Sequence, residues 1–144
     1  MPRVTLHLGH VAIELVLESH DVEVAGSPYL DWFRCRVRVI DGEFSGVAQW
    51  NVMPAELNRL ATDLVRIHDA YPRQEGLAFE PVEPNLKLSL AVDTRGQVEG
   101  TYELVRTFVD SPSLRGSFTI EQSVLPVAAA AIREFVAAAT SHAA

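Results

Sequence analysis

Two apolar alternations that meet at Asp41-Gly42, followed by an abrupt change of period, constrain this chain more than any other feature. Phe33, Cys35, Val37 and Val39 alternate with Arg34, Arg36 and Arg38, and Phe44, Gly46, Ala48 and Trp50 alternate beyond the dipeptide. A period of two is what a strand with one buried face requires. Asp-Gly suits a two-residue hairpin turn, whose central positions call for positive φ. Pairing Ile40 with Glu43 sets Val39 opposite Phe44, Val37 opposite Gly46, Cys35 opposite Ala48 and Phe33 opposite Trp50, so the apolar sets share one face. A slip of one residue would turn Phe44 and Trp50 to water, and the pattern therefore specifies the register. After Asn51, Pro54 suits the first turn of a helix, and Leu57, Leu60, Ala61, Leu64, Ile67, His68 and Tyr71 recur at spacings of three and four. Pro72 disfavours a helical residue before it and ends this helix near Tyr71.

The hairpin theme recurs along the chain. Val4, Leu6 and Leu8 alternate, Gly9-His10 turns the chain, and Val11, Ile13, Leu15 and Leu17 alternate back. From Ser19 to Asp31 the pattern lapses, with Gly26-Ser27-Pro28 marking an exposed connection. Leu77 and Phe79 suggest a short strand closed by Pro81 and Pro84. Leu86, Leu88, Leu90 and Val92 then face Leu104, Tyr102, Gly100 and Val98 if Asp93 pairs with Gln97 around a Thr94-Arg95-Gly96 loop. A polar turn from Asp110 to Ser113 precedes a last strand of Leu114, Gly116, Phe118 and Ile120. Ser123 is placed to cap a final helix, where Pro126 is tolerated in the first turn and Ala128, Ala131, Ile132, Phe135 and Ala139 form an apolar stripe. Gly46, Gly100 and Gly116 occupy apolar-face positions, where a missing side chain admits a neighbouring helix or aromatic ring. The elements follow neither a βαβ order nor a repeat, and tight hairpins imply antiparallel pairing. The expectation is a single α+β domain over residues 1–144, a largely antiparallel sheet of six to eight strands with two helices packed on one face.

A domain of 144 residues buries about 68 to 70% of its unfolded surface and needs neither disulfide nor metal to hold it. The single cysteine, Cys35, falls on the apolar face of the hairpin as an ordinary buried thiol. A formal charge of -7 argues against direct nucleic-acid binding, which needs a basic footprint, and suits a basic protein partner. Met1 to Glu18 lacks the layout of a signal peptide, and Arg133 and Glu134 interrupt the alanine-rich stretch from Val127 to Ala139. The chain therefore reads as cytoplasmic with no membrane span, and its sheet edges allow a monomer or a homodimer.

Residues that carry chemistry are sparse. His7, His10, His20, His68 and His142 gather no third ligand at recognisable spacing, so no metal or cofactor is expected. No nucleophile elbow, phosphate-binding glycine loop or dinucleotide fingerprint is present, and no catalytic residue is assigned. The row Arg34, Arg36, Arg38 is the most suggestive charged feature. On one strand face these side chains stand about 6.6 Å apart, a spacing that could grip a small anion or an acidic peptide. The alternative is a solvated ladder paired with Glu99 and Glu103 on the second hairpin. Asp21, Glu23, Asp31, Glu80 and Glu83 fall in connections, as a negative docking surface or as solvated loops.

Phe33-Arg34-Cys35-Arg36-Val37-Arg38-Val39, Gly42-Glu43-Phe44-Ser45-Gly46 and the helix start Pro54-Ala55-Glu56-Leu57 follow one another in an order that resembles the WapI-like immunity protein family. The similarity continues through Glu83-Pro84-Asn85-Leu86-Lys87-Leu88, the turn Gly96-Gln97-Val98 and Glu121-Gln122-Ser123-Val124-Leu125-Pro126, and covers most of the chain. These motifs are turns, a helix start and a core face, so they carry fold more firmly than function. The resemblance implies a non-enzymatic bacterial protein that binds a cognate toxin domain and neutralises it. Acidic loops would steer a basic nuclease toxin toward such a protein. If the hairpin face is buried as the pattern requires, Trp50→Ala costs about 3 to 5 kcal/mol, read as a lower midpoint in urea denaturation. An unchanged midpoint would overturn the assignment of that face.

Overall fold

Every hairpin inferred from the alternation forms, and within each sheet the strands pair antiparallel in sequence order. The computed structural model describes residues 1–22, 31–107 and 111–142. Its elements are β1 (Arg3–Leu8), β2 (Val11–Asp21), β3 (Trp32–Asp41), β4 (Phe44–Val52), α1 (Pro54–Ala70), β5 (Gly76–Phe79), β6 (Leu86–Val92), β7 (Gln97–Val105), β8 (Ser113–Glu121) and α2 (Val124–Ser141). The strands form two four-stranded sheets, β1-β2-β3-β4 and β5-β6-β7-β8, rather than the single sheet of six to eight strands that was expected. The physical reason lies in α1, whose 17 residues carry the chain about 25 Å away from the edge of β4, so that β5 opens a new meander. The element order is thus ββββα twice over, a repeat of architecture that no sequence period reveals.

The helices likewise depart from the expectation of two helices on one sheet face. They pack on each other, with α2 against β1, β2 and β8 and α1 against β5, while the two meanders also meet directly, β4 with β7 and β8 and β1 with β8. One continuous core results, drawing Leu57, Leu60, Ala61, Leu64 and Ile67 from α1 and Leu125, Ile132 and Phe135 from α2. His68 and Tyr71, expected in the α1 stripe, stay at the surface and Ala70 is buried instead. The carboxylate of Glu56 accepts the N–H of Met53 at 3.0 Å, which satisfies an otherwise free donor at the α1 start. Ser123 occupies the α2 N-cap position without a side-chain capping bond.

The first hairpin keeps its predicted face and changes its register. Asp41 pairs with Phe44, Val39 with Gly46, Val37 with Ala48, Cys35 with Trp50 and Phe33 with Val52. The turn is Gly42-Glu43, with glycine first at φ +61°. This is a shift of two residues from the expected pairing, and an even shift leaves inward residues inward. It carries Phe44 past the end of the core, where it is 72% exposed, while Trp50 is 1% exposed as required. In the second hairpin the pairs Val92–Val98, Leu90–Gly100, Leu88–Tyr102 and Leu86–Leu104 all form as expected. Asp93 secures its loop by accepting from the N–H groups of Arg95 at 2.8 Å and Gln97 at 3.0 Å. The pattern lapse after Leu17 is a bulge within β2, which continues to Asp21. Gly26 to Pro28 and Asp110 lie outside the described residues.

Two polar contacts join the meanders. The Trp50 indole donates to the Glu83 carbonyl at 2.7 Å, with the Phe79 ring edge-on at 6.0 Å. The Tyr102 hydroxyl donates to Asp41 Oδ2 at 2.5 Å, and His10 Nε2 lies 3.2 Å from Asp41 Oδ1. Gly116 leaves room for this bond: a Cβ there would stand 2.5 Å from the Asp41 carboxylate and 2.6 Å from the Tyr102 oxygen. Gly100 likewise admits the Phe118 ring, in line with the apolar-face role expected for these glycines.

Burial, and then the hydrogen bond and charge of Asp41, hold the Tyr102 hydroxyl above its ordinary value of 10.0. The folded state therefore favours the neutral phenol. Its contribution is full below the unfolded value and fades as pH rises through the raised folded one. Tyr102→Phe is expected to cost about 1.5 to 3 kcal/mol and to flatten the loss of stability above about pH 10. Denaturation midpoints of the two proteins between about pH 8 and 11 check this.

Candidate partner-binding surface

Because β3 lies inside its sheet, residues of one parity are sealed beneath it and those of the other stand on an open face. Phe33, Cys35, Val37 and Val39 are fully buried, and Arg34, Arg36, Arg38 and Ile40 are exposed. The cross-strand rows of this face run Arg3–Val16–Arg36–Gln49 and Thr5–Glu14–Arg38–Val47, with Ser19–Arg34–Asn51 beside them. Neither helix covers it, since both pack on the inner side. Glu14 faces Arg38 directly, yet among the described residues none of the three guanidinium groups of the row forms an ion pair or a side-chain hydrogen bond.

The alternative partners for the row belong to the other sheet. Glu103 is taken by Arg115 at 2.7 Å and by Lys87 at 3.5 Å, and Glu99 stands between Ala91 and Thr119 on the outer face of β7. A ladder of Arg34, Arg36 and Arg38 with Glu99 and Glu103 therefore does not form, because the split into two sheets separates the hairpins. The free guanidinium groups present forked donors suited to carboxylate or phosphate.

The acidic positions divide. Pairing of β2 with β3 places Asp21 across from Trp32 and so close to Asp31 in the chain, whose carboxylate lies 3.9 Å from the buried His20 ring nitrogen. Glu80 follows β5, and Glu83 sits in the β5–β6 connection with its carbonyl committed to Trp50. Glu23 lies outside the described residues. None of the described four is ion-paired with the arginine row. Sequence reasoning missed Arg3, Ile40 and Val47 on the open face. Parity would have found Ile40, which is in phase with the arginines, whereas Arg3 reaches the row only through the pairing of β1, β2 and β3.

Directly beneath the row, Cys35 is inert: burial, and secondarily the Glu18 carboxylate, push its thiol up to about 12. Among the described residues no three His, Cys, Asp or Glu side chains are grouped to hold a metal ion. The Tyr102–Asp41–His10 contact binds its phenolic proton tightly, which makes it a structural junction and a poor nucleophile. By length and composition α2 could cross a membrane, with a mean hydropathy of 1.4, but it turns its buried stripe onto α1 and β1.

An α+β fold with an open, charged sheet face offers a surface for docking. The family model described as the Immunity protein WapI-like family matches residues 7–139, so this chain belongs to that family. Membership carries an immunity role and, in general terms, a toxin partner. No curated protein matches significantly. Among solved structures, that of the plant transcriptional regulator PBF-2 is similar at a TM-score of 0.43 and 8% identity, over 93% of this chain and 79% of the other.

Alkylation checks the buried face of β3. Iodoacetamide should label Cys35 only when the protein is unfolded, and mass spectrometry of native protein at neutral pH should find the thiol free. Rapid native labelling would mean that β3 is not sealed.

Proposed function

We propose that this chain is a non-enzymatic, cytoplasmic immunity protein that binds a cognate toxin domain and neutralises it by occluding its active site. The observation that carries this reading is the family match over residues 7–139. The fold supports it, since both sheets leave an outer face uncovered while the helices are used to fill the core. Blocking by occlusion asks only for a rigid surface of sufficient area, about 800 Å² on each partner for a standard interface. A formal charge of -7 supports a partner of net positive charge, such as a basic nuclease, because attraction at long range raises the association rate.

The test is co-expression with toxin domains of the kind that this family's members neutralise. Growth should be restored only when this chain is present, and the two should co-elute from a sizing column at a mass that also reveals whether the chain acts as a monomer or a homodimer. Unrelieved toxicity with no complex would overturn the proposal.

A further inference from the structure

We infer that the outer face of the first sheet, built on Arg3, Arg34, Arg36 and Arg38 with Ile40 and Val47, is the docking surface, and that it receives an acidic patch of the toxin domain. This rests on the immunity reading and specifies its interface. Four of the chain's 12 basic side chains stand on this one sheet face, although the whole chain is acidic. The three on β3 form no ion pair with a carboxylate, while the comparable cations on the second sheet, Lys87 and Arg115, both pair with Glu103. An exposed cationic row that the protein does not balance internally is complementary to carboxylates supplied from outside.

The composition of the face selects a folded protein over a nucleic acid. Ile40 and Val47 are 37% and 46% exposed and adjoin the arginines in the same sheet, giving apolar contact beside charge. Arginine with an apolar centre is the mixture that protein interfaces favour. Glu14 and Glu18 break the positive field into short stretches, which suits discrete carboxylates placed over single arginines better than an unbroken phosphate backbone. Net charge and local charge have separate tasks. The acidic whole attracts a basic toxin as it comes within the screening length of about 8 Å, and the arginine row engages carboxylates on contact.

The experiment uses the full chain and the toxin domain identified by the co-expression test, with affinities from calorimetry and melting temperatures for every variant. The double variant Arg36→Glu with Arg38→Glu should weaken the complex about 100-fold while remaining folded, with only a small fall in melting temperature from the new carboxylate opposite Glu14. Arg36→Gln should show an intermediate loss, and Arg95→Glu, in the β6–β7 turn, should bind as wild type does. Wild-type affinity within twofold in the double variant, with growth still protected, would overturn this docking face and leave the immunity reading standing. Absence of any wild-type complex would overturn both. A single-stranded oligonucleotide retained by the wild type and lost in the double variant would overturn the acidic-protein partner.

Discussion

A buried indole needs an acceptor for its N–H, and the way Trp50 meets that need determines how the two halves of this protein sit together. No residue of its own meander supplies the acceptor. The Glu83 carbonyl does so at 2.7 Å, from the connection that opens the second meander. That connection is itself held by Glu56, whose carboxylate accepts the Val82 N–H at 2.8 Å and the Met53 N–H at the α1 start. A strand, a helix start and a loop of the other half are thus joined through one aromatic ring and one carboxylate. An unsatisfied donor at so buried a point would cost on the order of 1 to 3 kcal/mol, so the seam is fixed by hydrogen bonding as well as by apolar area. Tyr102, Asp41 and Gly116 form the second fastening, at the hairpin turn.

Local structure was legible in the residues because it depends on local chemistry. The alternation of β6 and β7, with glycine at the last loop position, specified its pairing to the residue. In the first hairpin the same logic found the face and missed the register, since Asp41-Gly42 and Gly42-Glu43 satisfy the alternation equally and only the glycine conformation separates them. Parity arguments are blind to a shift of two residues, which is how Phe44 was placed in the core. The division into two sheets was not legible. It turns on what the edge of β4 meets after α1, a long-range matter with no sequence period to announce it, and the same holds for the Asp41–Tyr102 bond across 61 residues.

The candidate surface shows the same boundary. Its three central arginines were evident from phase alone, but whether they were free depended on where Glu99 and Glu103 would lie. Their confinement to the second sheet turns an ambiguous ladder into an uncompensated one. Sealing Cys35 beneath the row adds a rigid floor: the strand that presents the arginines buries Phe33, Cys35, Val37 and Val39 completely. A recognition face built on such a strand holds its charges at fixed spacing, so less order has to be gained on association than a loop would require.

The sequential pairing of all eight strands has a kinetic consequence. In each sheet every hydrogen-bonded neighbour is also the neighbour along the chain, and no crossover connection has to be threaded. The pairs next to each hairpin turn therefore close short loops, the step that chain entropy opposes least. Docking of the two meanders, with the Trp50 indole reaching the Glu83 carbonyl, is the step that joins residues far apart in the chain.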